Sequence, residues 1–283
     1  MIDVSVLTPS LGYRRFIEDN ILSVRAQEGL SIQHVVQDGG STDGTIEVLR
    51  RHSGWLDWIS ERDRGQSDAL NRAFARATGR WVAWLNADEF YLPNGLITLV
   101  RHGDRTGADV VYGDNVFVDA EGRMVRLLPQ HPFSQTILRL YGCFISSSST
   151  IFRRSALQNS PWDLEAKMIL DWELFLNLAS RGARFSHVSY PVGAFRRHHE
   201  QVTARPSSEF GDEYARVFRR YGIDERKRHW GRWLHGAAKA SSGAYRRERR
   251  AERFRGTNMP WFNGQEARAS FDALLSACYG VTS

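Results

Sequence analysis

The chain has 283 residues, of which 42% are apolar and 25% are charged, and this balance is ordinary for a folded protein. It excludes a collagen-like, low-complexity or wholly disordered chain. Two cysteines, Cys143 and Cys278, exclude a disulfide scaffold and a four-cysteine zinc site, and they fit a reducing compartment. No stretch approaches the roughly 18–20 apolar residues of a membrane span, and no basic signal segment precedes the first apolar run. We therefore expect a cytoplasmic protein, either free or peripheral at the inner face of a membrane.

The net charge of +6 is concentrated near the end of the chain. Residues 219–255 hold 13 Lys or Arg and 4 Asp or Glu, a net +9, which leaves −3 for the rest. A partner that is selected by positive charge, such as nucleic acid, would therefore have to bind this segment.

Short apolar strands alternate with helical patterns along the first 85 residues. Strands are predicted at residues 4–8, 32–37, 56–60 and 81–85, and helices at 16–27, 45–51 and 67–78. Further strands are predicted at 109–118, 146–153, 185–190 and 193–199, with helices at 169–181 and from Ser207 onward. Alternation of this kind predicts an α/β fold with a mainly parallel central sheet flanked by helices, followed by a C-terminal helical extension.

Polar residues follow several of the predicted strands. Asp38, Asp63 and Asp88 each come after a strand, as does the loop beyond Thr8. Ligands of open parallel sheets bind beyond the carboxyl ends of the strands, so we expect these groups to converge on one crevice.

The segment Asn86-Ala87-Asp88-Glu89 follows the fourth strand. A carboxylate pair there suits Mg²⁺ or Mn²⁺, which take oxygen ligands and leave positions for phosphate oxygens. The alternative is a solvated turn.

Two other loops could contact a nucleotide. The glycines of residues 38–45 allow a ligand to approach closely. An Asx-type turn before a capped helix would account for the same residues. In residues 61–71, Arg64 could pair with phosphate, and Asp68 and Asn71 share one helical face. A charged surface loop is the alternative reading.

Taken together, these segments resemble the inverting nucleotide-sugar glycosyltransferases of family 2. The resemblance rests on Leu7-Thr8-Pro9-Ser10, residues 37–45, residues 63–71, Ala77-Thr78-Gly79-Arg80 and residues 84–89. It is dense over residues 3–95 and thinner to about 205. It implies a GT-A (Rossmann-like) fold over residues 1–205, with a nucleotide-binding half (1–95) and an acceptor half (96–205), followed by a helical basic extension (206–283).

The resemblance also implies roles for particular residues. Thr8, Pro9 and Ser10 would line the nucleotide pocket, Asp38 and Gly39 would hold the base, and Asp63, Arg64 and Asp68 would lie near base, ribose and phosphate. Asn86-Ala87-Asp88 corresponds to the metal-binding aspartate motif of the family. Asn86 and Glu89 both stand where Asp is frequent, so Asp88 is the stronger metal ligand and Glu89 the weaker one.

The second half would supply the acceptor side. Displacement at an anomeric carbon with inversion needs a base on the acceptor hydroxyl. The resemblance points to Asp171 at the start of a helix, with Glu173 in reserve, although acids in a first helical turn also stabilise the helix dipole. His198 would complete the metal site or contact the diphosphate, and Arg196 would stabilise the leaving phosphates, with a solvated basic turn as the alternative for this segment. The implied cofactor is Mn²⁺ or Mg²⁺.

We therefore expect a metal-dependent hexosyltransferase that uses a UDP-sugar rather than a GDP-sugar. Its acceptor would be a glycan, a lipid-linked molecule or a protein. The alternatives are a nucleic-acid-associated protein, a nucleic-acid-modifying glycosyltransferase that uses the basic tail, and an inactive relative that binds nucleotide. For the tail, rich in Trp and Arg, we expect packing or a homo-oligomer contact ahead of binding to an anionic membrane surface.

Overall fold

The computed structural model describes residues 1–199, 201 and 211–281. Its strands are β1 Val4–Ser10, β2 Ile32–Asp38, β3 Leu56–Ser60, β4 Trp81–Trp84, β5 Phe90–Tyr91, β6 Val110–Val118, β7 Met124–Leu128, β8 Thr150–Arg153 and β9 Phe185–Arg196. Its α-helices are α1 Ile17–Arg25, α2 Thr45–Arg51, α3 Gln66–Arg76, α4 Gly95–Thr106, α5 Gln135–Leu140, α6 Leu170–Ser180, α7 Gly211–Tyr221, α8 Arg228–Ser241, α9 Ala244–Ala251 and α10 Gln265–Tyr279.

One sheet runs through the molecule in the order β3-β2-β1-β4-β8-β6-β9-β5, and β7 pairs with β6. The first four strands in this order are parallel to one another. From β4 onward the neighbours are antiparallel except for the β6–β9 pair. The predicted GT-A architecture is confirmed, but a mainly parallel sheet is right only for β1 to β4, because β8 enters between β4 and β6 in the opposite direction.

The loop after β4 lies at the centre of this sheet. Only residues 85–89 connect β4 to β5, yet β8, β6 and β9 lie between these two strands in the sheet order. A connection this short is possible because the sheet curls, and it places Asp88 and Glu89 inside the curve. Both residues are consequently buried, 4% and 1% exposed.

Most predicted elements are present, and the differences are local. The two strands predicted at 185–190 and 193–199 form the single strand β9. The strand predicted at 146–153 is a strand only from Thr150, because Ser147–Ser149 form a 3-10 turn, called here the serine turn. The predicted boundary at 205/206 and the helix start at Ser207 lie outside the described residues. Among the described residues, no helix is long and apolar enough to cross a bilayer.

The C-terminal helices pack on the sheet. Phe271, Leu274 and Leu275 of α10 belong to the same apolar cluster as Val111 of β6 and Val192 of β9. Trp261 and Phe254 are also packed or half-buried, whereas Trp230 and Trp233 of α8 are 56% and 66% exposed. The expected packing role is therefore seen for α9 and α10 and not for these two tryptophans.

Candidate active site

The end of β2 forms a closed hydrogen-bonded loop around Asp38. Its carboxylate is fully buried and accepts from the Gly40 and Ser41 backbone N–H groups and from the Ser41 and Ser60 hydroxyls, at 2.5–3.0 Å. Four donors leave this carboxylate little capacity for a base. Asp38 therefore orders the glycine loop through the Asx-type contacts that the sequence offered as an alternative.

Asp63 lies directly over the glycine loop. A Cβ at Gly39 would sit 2.9 Å from Asp63 Oδ2, so a side chain at this position would displace the Asp63 carboxylate. Burial raises the pKa of Asp63, against a hydrogen bond from the Gly65 N–H that lowers it. At the neighbouring end of β1, the buried Ser10 hydroxyl has no partner among the described residues. Gly39, Asp63 and Ser10 are therefore brought together as the sequence predicts.

Thr8 and Pro9 are buried in β1. The Thr8 hydroxyl hydrogen-bonds to His34 Nε2 at 2.9 Å, so it faces the interior and offers no group to a ligand. Burial lowers the pKa of His34 to about 3, so this imidazole is neutral. Thr8 thus differs from its predicted place at the pocket surface.

Arg64 and Asp68 begin α3. Asp68 accepts from the Arg64 N–H at 3.0 Å and pairs with Arg72 at 3.0 Å. Burial alone would raise the pKa of Asp68, but these hydrogen bonds hold it below its usual value. The Arg64 side chain is 70% exposed, which leaves its guanidinium able to reach a phosphate.

The loop after β4 is held by its own side chains. Asn86 Oδ1 accepts from Gln66 Nε2 at 2.6 Å and Trp84 Nε1 at 2.8 Å, and Ala87 is buried in the core. Glu89 Oε2 accepts from the Asn86 N–H at 3.0 Å. The side chains of Asn86 and Glu89 are therefore used within the turn, and Ala87 packs in the core.

Asp88 faces His198. His198 Nε2 lies 2.9 Å from Asp88 Oδ2, and Gln201 Nε2 donates to the same oxygen at 3.2 Å. Asp88 Oδ1 accepts no hydrogen bond from the residues that the structure describes. Within the described ranges no group of three or more His, Cys, Asp or Glu is arranged for a metal. The buried Asp88 carboxylate beside an imidazole nitrogen nevertheless fits a divalent cation whose other ligands are diphosphate oxygens and water.

Arg196 is a correction to the sequence prediction. Its guanidinium donates to Asp88 O at 3.0 Å, Ala120 O at 2.6 Å and Asp19 Oδ2 at 2.5 Å, and it lies against the Phe16 and Phe90 rings. The side chain is only 2% exposed, so it cannot reach a leaving phosphate. Arg196 is a positioning residue that fixes the backbone of Asp88.

Asp171 lies in the first turn of α6. Burial raises its pKa, while hydrogen bonds from the Trp172 N–H and the Cys143 thiol lower it. The pKa of Glu89 is raised well above its usual value by burial, then by Asp88 and also by Asp171, while the Ser148 hydroxyl opposes this shift. Asp88 and Asp171 thus each lie close enough to Glu89 to raise the pKa of its carboxyl group.

Glu173 faces away from this region. Both of its oxygens are used by arginines of α7, at 2.7 Å from Arg220 and 3.2 Å from Arg216. The reserve candidate for the base is therefore part of an ion-pair cluster that joins α6 to α7.

A cavity of about 290 Å³ opens beside Cys143, the residue that contacts Asp171. Its lining includes Phe117, Phe195, Tyr141, Asn115, His235 and Lys239. His131 Nδ1 lies 2.8 Å from the Pro132 carbonyl, so it carries the proton and its Nε2 accepts from His235 Nδ1 at 3.0 Å. Burial lowers the pKa of His235 to about 4, and this tautomer makes His235 Nε2 a hydrogen-bond acceptor.

Sequence reasoning missed Gln201, the α8 residues His235 and Lys239, and the serine turn. Asn115 Nδ2 lies 2.7–2.9 Å from the hydroxyls of Ser146, Ser148 and Ser149, and this contact holds the serine turn near Glu89. A run of four serines is unusual for a buried strand and could have indicated the turn. Nothing in the sequence pattern connects His235 or Lys239 to a site more than 60 residues earlier in the chain.

The sheet order and its flanking helices define a domain of the GT-A class. The sequence profile described as "Glycosyl transferase family 2" matches residues 5–160, and the chain belongs to this family. A PGL/p-HBAD biosynthesis glycosyltransferase of Mycobacterium bovis is 28% identical over 201 residues, which cover 65% of this chain and 73% of that protein. The chain spans 36–52% of the length of three further relatives, from Nostoc, Bacillus subtilis and Rhizobium meliloti.

Solved structures share the fold at low sequence identity. S. aureus TarS in complex with UDP-GlcNAc superposes with a TM-score of 0.64 at 17% identity, covering 98% of this chain and 82% of that chain. The mannosyltransferase PcManGT of Pyrobaculum calidifontis, in complex with GDP-Man and Mn²⁺, gives 0.58 at 18% identity, covering 86% and 77%.

Proposed function

We propose that this protein transfers a hexose from a UDP-sugar to a hydroxyl group, with inversion at the anomeric carbon and with Mn²⁺ or Mg²⁺. The observation that carries the proposal is the pair of Asp88 and His198 in the loop after β4 of a GT-A sheet. Asp171, whose pKa is raised by burial, lies in the first turn of α6 and affects the pKa of Glu89, the neighbour of Asp88. Complexes of TarS with UDP and UDP-GlcNAc support a UDP-sugar, and the complex of PcManGT with GDP-Man and Mn²⁺ supports the metal.

Donor binding is assigned to the first half. Ser10, the glycine loop and Asp63 would surround the base and ribose, and Arg64 would reach the phosphates. Asp88 and His198 would hold the divalent cation, which when bound neutralises charge on the departing diphosphate. Arg196 and Gln201 keep Asp88 in position. Glu89 closes the turn from Asn86 and is not assigned as a ligand.

Asp171 is assigned as the general base. It accepts the proton of the acceptor hydroxyl while the acceptor oxygen forms a bond to the anomeric carbon and the bond from that carbon to the phosphate oxygen breaks. One displacement of this kind inverts the configuration and leaves the proton on Asp171 and the charge on the nucleoside diphosphate. A raised pKa suits a base that must take a proton in a partly water-excluded site.

The cavity beside Cys143 is assigned to the acceptor. Its aromatic walls and few polar groups, among them Asn115, His235 and Lys239, are typical of small-molecule sites and suit a sugar-bearing acceptor. The acceptor class is thus a glycan or a lipid-linked or protein-linked sugar. His235 Nε2 would accept a hydrogen bond from one of its hydroxyls.

Calorimetric titration with UDP and GDP, in Mn²⁺ and in excess chelator, tests the donor and metal assignments. We expect UDP to bind in Mn²⁺ and to bind at least about tenfold more weakly in chelator or to Asp88→Asn. Asp212→Asn, an exposed acid of α7, is the matched control and should bind normally. Equal UDP affinity with and without metal would refute the metal site, and tighter binding of GDP would refute the UDP preference.

A further inference from the structure

Helix α8 is amphipathic in an unusual way, because its exposed face is aromatic. Gly231 packs so closely on the backbone of Leu140 that no side chain would fit, and Leu234 and Ala238 pack on the core. On the outward side, Trp230 and Trp233 lie one turn apart and are 56% and 66% exposed. The inward face of α8 is thus packed against the core, and this orientation leaves Trp230 and Trp233 facing solvent.

Helix α9 extends this aromatic face. Tyr245 is 46% exposed, and its hydroxyl lies beside Gly236, one turn from Trp233. The Lys239 ammonium lies 4.9 Å from the centre of the Tyr245 ring. We call the exposed side chains of Trp230, Trp233, Tyr245, Arg232, Arg246 and Arg249 the α8–α9 surface.

The acidic and basic side chains near this surface point in different directions. Glu248 is turned inward, where it pairs with Lys239 at 3.0 Å and Arg126 at 2.9 Å. Arg232, Arg246 and Arg249 are exposed and form no ion pair with any residue that the structure describes. Part of the positive charge of residues 219–255, that of Arg232, Arg246 and Arg249, is therefore exposed on the two helices that carry the aromatic side chains.

We propose that the α8–α9 surface docks on an anionic lipid bilayer. Tryptophan and tyrosine favour the membrane–water interface because one end of each ring system is apolar and the other can hydrogen-bond. Arginines beside them are attracted to the negative surface potential of anionic lipids. A second copy of this chain is a poorer occupant, because a two-fold contact through this face would bring its unpaired arginines together.

Docking in this orientation has a consequence for the cavity beside Cys143. The inward side of α8 supplies His235 and Lys239 to that cavity, so the same helix faces both lipid and acceptor. The acceptor would then be lipid-linked, held with its sugar in the cavity and its lipid in the bilayer. This last step rests on the proposed glycosyltransferase function, whereas docking itself does not.

Co-sedimentation with vesicles of equal parts phosphatidylglycerol and phosphatidylcholine tests the docking. The double variant Trp230→Ser/Trp233→Ser should partition at least about tenfold less than the wild-type protein. The triple variant Arg232→Gln/Arg246→Gln/Arg249→Gln should lose about a hundredfold. Leu164→Ser and Arg101→Gln, which alter exposed residues elsewhere, are the matched controls and should bind as wild type. Binding should also weaken as salt rises and be slight on phosphatidylcholine alone.

Each other outcome overturns the docking proposal. Unchanged sedimentation of both variants would remove this surface from any membrane contact. Wild-type binding to polyuridylate but not to vesicles would assign the surface to nucleic acid. A wild-type dimer in light scattering that the double variant abolishes, without vesicle binding, would assign it to a second copy. UDP binding by the double variant, measured in Mn²⁺, reports separately on the proposed function, because none of the substituted residues belongs to the donor site.

Discussion

Replacing Asp171 by asparagine separates the chemical step from binding and folding. Asp171 Oδ1 accepts from the Trp172 N–H at 2.7 Å, and asparagine keeps an oxygen in that position. The amide cannot accept a proton from a hydroxyl at neutral pH. We therefore expect Asp171→Asn to fold and to bind UDP as wild type while losing sugar transfer.

The size of the loss follows from the role. A general base contributes about 10²–10⁴ in rate, so kcat should fall by that factor, equivalent to about 3–5 kcal/mol in the barrier. Because burial raises the pKa of Asp171, wild-type activity should decline on the acid side at a pH above the usual aspartate range. Activity is present where Asp171 is ionised and is lost as pH falls through its raised pKa.

Glu173→Gln provides the matched control, two residues along the same helix. Its side chain is 4% exposed and pairs with Arg216 and Arg220, which are 30% and 47% exposed. Because solvent screens these arginines, we expect a decrease of only about 1–2 kcal/mol in the free energy of unfolding, with transfer intact. Initial rates of UDP release with a saturating acceptor, together with urea unfolding, measure both effects. Normal transfer by Asp171→Asn combined with loss in Glu173→Gln would reverse the assignment.

Three further substitutions test the framework around the site. His34 is neutral in the fold with a pKa of about 3, so the free energy of unfolding should fall by about 1.4 kcal/mol for each pH unit below pH 6.5. Urea unfolding of His34→Gln at pH 7 and 5.5 should lack this contribution to the pH dependence. Gly193→Ala should lower the thermal midpoint, because its Cβ would overlap the Ser148 carbonyl, whereas Gly54→Ala has open space and should not. Arg196→Lys should lower both the thermal midpoint and the UDP affinity, while an unchanged midpoint with weaker binding would return Arg196 to the role of phosphate ligand.

The local patterns in the sequence predicted most of the first half. Apolar runs predicted β1 to β4, and parallel strands bring their carboxyl ends to one edge, so the closeness of Ser10, Gly39 and Asp63 could be predicted from the sequence. The two-residue strand β5 and the strand β7 escaped prediction, because a period of two cannot be read from so few residues. The direction of β8 was not predicted either, because the amino-acid sequence of a strand does not show which strand it will pair with.

Side-chain roles were predictable only where no distant partner decides them. Arg196 and Glu173 both carry charges at positions that suit catalysis. Asp19, 177 residues from Arg196, and Arg216, 43 residues from Glu173, neutralise them instead. A buried charge must be paired, and the partner is chosen by the tertiary fold rather than by spacing in the chain. The Thr8 hydroxyl is likewise unavailable to a ligand, because it hydrogen-bonds to His34 on the neighbouring strand β2.

Different residues of the basic tail fit the two roles that the sequence offered as alternatives, packing on the core and binding to a partner. A count of 13 basic residues and several aromatic residues cannot separate packing from docking, because it does not show which face of a helix each residue occupies. In α10, Phe271 and Leu274 enter the core, so removing the tail would expose Val111 and Val192 and unfold the sheet. In α8, core contacts take the inward face and leave Trp230 and Trp233 outside. Truncation therefore cannot test partner binding in this protein, whereas substitutions confined to the outer face of α8 can.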